Sequence, residues 1–198
     1  EMRPDSKNTI LLNGVGITPD SSCDSTTFIK TAKISAIRME ATNAFGIVDG
    51  GQTAKFIGRM FIFVRGEYWV IIDIVRTHHP GRVENRMHTF AKIKMDEDSC
   101  VLERSSERLN VIYASTVPSL LKKATGAPTT PSVPPASMLR WVTAKLHTDV
   151  INVAVLIPGN EKKQVKLVHK STKTKIIISG KRKKDIFVIS PRLMLLRS

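Results

Sequence analysis

The apolar positions of this chain come in short runs separated by glycine, proline and asparagine. "TILLNGVGI" at 9–17 reads as a strand running into an Asn13-Gly14 turn, a strong hairpin signal. "FIKTAKISAIRM" at 28–39 fits a helix or a pair of strands by period alone, and its neighbours favour the pair. "SSCDSTTF" reads as loop and "FGIVDGGQ" as a glycine-punctuated turn.

The most apolar stretch is "FIFVRGEYWVIIDIVR" at 61–76, two strands meeting across Arg65-Gly66-Glu67. In its first half Met60, Ile62 and Val64 share one face and Phe61 and Phe63 the other, and 69–72 is likewise apolar on both sides. Such strands belong in the middle of a sheet covered on each face. Asp73 shares a face with Trp69, Ile71 and Val75, and a buried carboxylate there requires a partner, for which Arg59 and Arg76 are the candidates.

Beyond the hairpin, "THHPGR" reads as a Pro-Gly turn and Val83 to Met95 as an edge or half-exposed strand. "CVLERSSERLNVIYAST" supplies two more strands, and the five prolines within 118–137 predict a long irregular connection. "MLRWVTAKL", "INVAVLIP", "QVKLVHKS", "KIIISG" and "DIFVISP" then follow at near-regular spacing. The expectation is an all-β fold, an antiparallel β-sandwich of many short strands, formed by residues 1–198 as one domain with a basic hairpin region at 161–198. The absence of βα alternation disfavours a nucleotide-binding α/β fold.

Charge changes the picture at the C-terminal end. The chain carries +14, and from Glu161 onward twelve Lys or Arg face two acids, so +10 of the total lies there. Such a field attracts polyanions: nucleic acid, anionic lipid or acidic polysaccharide. The candidate contacts are Lys162, Lys163 and Lys166, with Lys181, Arg182, Lys183 and Lys184 at a hairpin tip; Lys170, Lys173 and Lys175 continue the alternation. Lysines on solvated edge strands also suppress aggregation, so a solvated hairpin is the competing reading. Phe187 is the only aromatic residue nearby, which disfavours base stacking.

No run reaches the length of a membrane span, and no signal-peptide pattern is visible. Cys23 and Cys100 are too few for a disulfide framework or a zinc cluster. Phosphate loops, nucleophile elbows and zinc helices are missing, and no carboxylates are paired for acid–base work. Of the histidines, His78 and His79 fall in the expected turn and His88 on a strand with Arg86 and Phe90, a packed position rather than a general base. No catalytic residue, metal ligand or cofactor is expected.

The order of motifs resembles the heparinase II/III-like polysaccharide lyases. "SKNTILLNGVG" at 6–16 is similar to that family's Asn-Thr segment, "FIGRMFIFVRGEYWVIIDIV" to its central hairpin, "GRVENRMHTF" to the strand after it, and "INVAVLIP" to a late strand ending in proline. The resemblance runs from Ser6 to Pro158. It implies a C-terminal β-sandwich attached to a helical toroid, in enzymes that cleave uronate-containing polysaccharides by β-elimination. The toroid would carry most of the chemistry, so this chain alone is expected to be inactive, with the missing N-terminal catalytic domain and an acidic polysaccharide as its partners. A secreted or periplasmic setting is implied. In members with zinc in the β-region a His precedes Asn-Thr; here Lys7 precedes Asn8-Thr9, and a protonated amine is a poor ligand. The alternative is a free-standing basic β-domain binding glycan or nucleic acid electrostatically.

Overall fold

The computed structural model describes residues 8–18, 22–45, 47–48, 51–52, 54–126, 135–170, 173–181, 183–189 and 195–197, with backbone only at 47–48, 51–52 and 195–197. Its described strands, all paired antiparallel, stack in three layers.

The central layer has eight strands. In spatial order they are β2 (Ser25–Lys30), β3 (Ile34–Glu40), β6 (Ala54–Val64), β7 (Tyr68–Gly81), β14 (His147–Pro158), β11 (Glu107–Ser115), β10 (Ser99–Arg104) and β9 (Lys92–Met95). One face carries the first outer sheet, β1 (Ile10–Leu12), β8 (Val83–Thr89), β13 (Ser137–Thr143) and β12 (Ser119–Thr125). The other carries the C-terminal sheet, β15 (Gln164–Lys170), β16 (Lys173–Ser179), β17 (Lys184–Ile189) and β18 (Leu195–Arg197). A small ribbon pairs β4 (Ile47–Val48) with β5 (Gly51–Gln52).

This layering explains why the central strands are apolar on both faces. Met60, Ile62, Val70, Ile72, Val153 and Val155 meet Ile176, Ile178 and Phe187 of the C-terminal sheet. The alternate residues Ile71, Ala154 and Leu156 join Leu139 and Trp141 of the first outer sheet in a second core. A third cluster, including Ile10, Leu12, Val75 and Val83, closes the end where β1 lies.

Turn chemistry matches the sequence reading at two places. Asn13 (φ 53°) and Gly14 (φ 84°) form a tight turn that brings Val15 back onto Leu12. Gly66 (φ 73°) sits in the turn that pairs Val64 with Tyr68. Residues 28–39 are a strand pair, with Phe28 opposite Ile37.

Elsewhere the structure corrects the expectation. Ser25–Lys30 is strand, so the loop reading of "SSCDSTTF" fails at its second half. The "THHPGR" segment is not a turn: β7 continues through His78, His79 and Pro80 to Gly81. Near this end, pairing with β14 shifts register between His147 and Asp149. Only Arg82 separates β7 from β8, and there the chain crosses from the central to the outer sheet, held by Asn13, whose side chain accepts from the Arg82 amide at 2.8 Å. The expected strand over 83–95 is two strands in different sheets. Of the 118–137 connection, Ser119–Thr125 is β12, an edge strand beside β13; residues 127–134 lie outside the described residues. The prolines obscured it because Pro118 only precedes the strand, where no ladder hydrogen bond is lost.

Candidate functional site

A cavity of about 200 Å³ lies between the first outer sheet and the central one. Strand register builds its floor. Phe61 pairs with Ile71, Ile71 with Ala154, and Ala154 with Tyr113, so β6, β7, β14 and β11 lay these four side by side. One step along the strands, the same register lines up Arg59, Asp73, Asn152 and Ser115 as a polar row. Asn85 and Met87 of β8 and Trp141 of β13 form the roof. The central hairpin is thus core on one side and cavity wall on the other, more than the sheet spine its sequence suggested.

The polar row is a continuous hydrogen-bond chain. Arg59 donates to both Asp73 oxygens, from Nε at 2.6 Å and from a terminal nitrogen at 2.9 Å. Its other terminal nitrogen donates to the Asn8 carbonyl at 2.9 Å. Asn85 donates its amide to Asp73 and accepts from Asn152 at 2.6 Å, and Asn152 accepts from Ser115 at 2.8 Å. Asp73 is buried, and a carboxylate in such a place needs a partner of the kind this bidentate guanidinium supplies. Burial works against the Arg59 charge, but the Asp73 carboxylate overcomes this and raises the arginine's pKa above its ordinary value. Of the two expected partners the structure selects Arg59; Arg76 instead pairs with Asp149 at 3.3 Å.

Beside this row Glu84 is clamped by Arg140, at 2.8 and 2.7 Å, and by Arg86 at 2.6 Å. Arg86 and Arg140 face each other across β8 and β13, and the shared carboxylate removes the repulsion between like charges. Burial pushes the Glu84 pKa up, but the Arg140 and Arg86 hydrogen bonds outweigh it, so the net direction is down. Tyr113 is raised, mainly by burial.

A zinc ion, which the resemblance ties to a His before Asn-Thr, does not fit these residues. Both Asp73 oxygens are engaged by Arg59 and Asn85, and among the described residues no three His, Cys, Asp or Glu side chains converge. Lys7 lies outside the described residues. His88 sits on β8, its backbone amide donating to the Asn8 side chain at 2.6 Å, while His78 and His79 are exposed on β7.

The basic candidates divide into two groups. Around an open cleft, Lys163 contacts Glu161 at 2.8 Å and Glu67 at 3.9 Å, and its ammonium lies 5.1 Å from the centre of the Tyr68 ring. Lys183 contacts Glu67 at 2.5 Å, and the buried Tyr68 hydroxyl donates to Asp185 at 2.6 Å. These pairs fasten the C-terminal sheet to the central hairpin's turn. Lys162 and Lys181, on the same cleft, are exposed, and Arg182 lies outside the described residues.

The second group is set by period-two alternation. Thr174, Ile176, Ile178, Asp185, Phe187 and Ile189 point inward, so Lys166, Lys170, Lys173, Lys175 and Lys184 point outward with Val168, Ile177, Ile186 and Val188. Among the described residues of β15–β17, no carboxylate lies on this outer face. Sequence reading placed Lys170, Lys173 and Lys175 in the alternation but not among the contacts, because it weighed the charge-dense tip above the face.

No family model matches the sequence, and no curated protein matches it. Solved structures do match. A heparinase III gene product superposes with a TM-score of 0.71 at 16% identity over 92% of this chain, and a second heparinase III with 0.70 at 12% over 94%. The heparan sulfate lyase HepC from Pedobacter heparinus gives 0.72 at 10% over 98%. This chain spans about 30% of the length of each. No described helix is long and apolar enough to cross a membrane. At these identities the likeness is one of fold, and the fold is that of the heparinase III β-region.

Proposed function

We propose that this chain is the C-terminal β-sandwich of a heparinase II/III-like polysaccharide lyase, supporting a catalytic toroid and one side of the cleft that takes an acidic, uronate-containing polysaccharide. The observation that carries the reading is the match of nearly the whole chain, three layers together, to about 30% of heparinase III. In this reading the Arg59–Asp73 chain is scaffold and the isolated chain yields no unsaturated sugar product. The test is the mass of the native protein in its source, detected with an antibody to this chain. Scaling 22.0 kDa by the 30% share gives about 70 kDa; a band at 22.0 kDa refutes the reading.

A second reading, a free-standing basic β-domain that holds polyanions, is favoured by the lysine face. Lys162, Lys166, Lys181 and Lys184 then make the contacts, while Lys163 and Lys183 remain tied to Glu67. Binding to heparin and to duplex DNA would fall steeply with salt. Reversing Lys166, Lys175 and Lys184 to Glu should lower the salt needed for elution from heparin with no change in unfolding midpoint. Unchanged elution sinks this reading.

A further inference from the structure

We infer that the cavity between the first outer sheet and the central sheet binds one neutral pyranose ring carrying an N-acetyl group. The inference rests on reading the chain as part of a glycan-processing protein, but its test is independent of that reading's own. Tyr113 and Trp141 line the cavity at 8% and 6% exposure, in edge contact with ring centres 4.8 Å apart. Among the described residues neither the phenol O–H nor the indole N–H has a hydrogen-bond acceptor, and neither atom is sealed from solvent, so both remain accessible to an acceptor entering the cavity. The polar row beside them is already engaged: Arg59 with Asp73, Asn85 with Asp73 and Asn152, Asn152 with Ser115.

Two neutral donors above an apolar floor of Phe61, Ile71 and Ala154 are therefore offered to a ligand. The volume exceeds the roughly 30 Å³ share of one water several-fold. Arg59 is answered by Asp73, and Arg86, which also lines the cavity, by Glu84 at 2.6 Å, so both guanidinium groups are already engaged by protein carboxylates. A pyranose matches this chemistry: its C–H face packs on the aromatic rings, and its oxygens accept from Tyr113 and Trp141. An acetamido group adds a carbonyl acceptor and a methyl that suits the apolar wall.

Trp69, 41% exposed and outside the cavity, supplies an internal control, because it and Trp141 give the only two indole N–H signals of the nitrogen-15-labelled protein. Titration with N-acetylglucosamine is expected to shift the Trp141 signal saturably, with Kd in about the millimolar range, and to leave Trp69 in place. Glucose and glucuronate are expected to bind more weakly. Tyr113→Phe, which keeps the ring and the native spectrum, should weaken binding roughly threefold to tenfold for one lost hydrogen bond. An unmoved Trp141 signal means the cavity holds only water and overturns the inference. So does an equal shift of Trp69, equal affinity for glucuronate, or unchanged affinity in Tyr113→Phe.

Discussion

Arg59→Met tests the energetics of the central sheet. Asp73 keeps only 5% of its side chain exposed and Arg59 19%, and two hydrogen bonds of 2.6 and 2.9 Å join them. Removing one partner of a buried pair costs about 3–5 kcal/mol, because the other charge is left unanswered. Asn85 still donates to Asp73 in the variant, which places the expected loss near the lower end, about 3 kcal/mol. For a chain of this size that is a fall in Tm of roughly 6–12 °C. Urea unfolding followed by circular dichroism should show a lower midpoint at unchanged slope. Arg59→Met combined with Asp73→Leu should recover most of the loss, since an apolar pair of similar volume replaces a buried ion pair at little cost. A single-variant loss below about 1 kcal/mol would show that solvent already screens the pair. A double variant as unstable as the two single losses together would show that the residues do not act on each other.

Glu84 gives a pH signature. Its folded pKa is lowered, so its contribution is complete above the unfolded value of about 4.3 and is lost as pH falls through the folded value. Melting measured from about pH 5 to pH 3 should therefore steepen downward in the native protein and flatten in Glu84→Gln; parallel curves contradict this. Burial raises the Cys100 thiol to about 12, whereas Cys23 is exposed, so a thiol reagent at mildly alkaline pH should modify one cysteine in the native protein and two in urea. Rapid modification of both in the native state would contradict the burial. Gly66→Ala, at φ 73°, should cost about 1–2 kcal/mol in urea unfolding, the penalty of a left-handed residue with a Cβ; a neutral result would mean the turn changes type.

Much of the fold was legible because period-two alternation and turn residues are local signals. The Asn13-Gly14 turn, the hairpin across Gly66 and the strand pair at 28–39 are each decided within a few residues. What escaped was set by contacts distant in sequence. Nothing local shows that Pro80-Gly81 continues a strand; that follows from pairing with β14, more than sixty residues away. The cavity was missed for the same reason, since Arg59, Asp73, Asn152 and Ser115 become neighbours only through the order of strands. One clue was present: Asn152 interrupts the otherwise apolar "INVAVLIP" as Asp73 interrupts its own strand. Two polar intruders in buried strands require each other, and the structure sets them opposite.

The position of Asp73 also bears on folding fidelity. Strand β7 presents two faces of similar apolar character, Val70, Ile72 and Ile74 on one and Trp69, Ile71 and Val75 on the other. A slip of one residue against β6 or β14 would exchange the two sets at small apolar cost. It would also move Asp73 from Arg59 and Asn152 into the layer formed by Ile176, Ile178 and Phe187, with no cation to meet it. A single carboxylate thereby distinguishes two faces that hydrophobicity alone leaves equivalent, and the misaligned sheet is penalised as the outer layer closes over it.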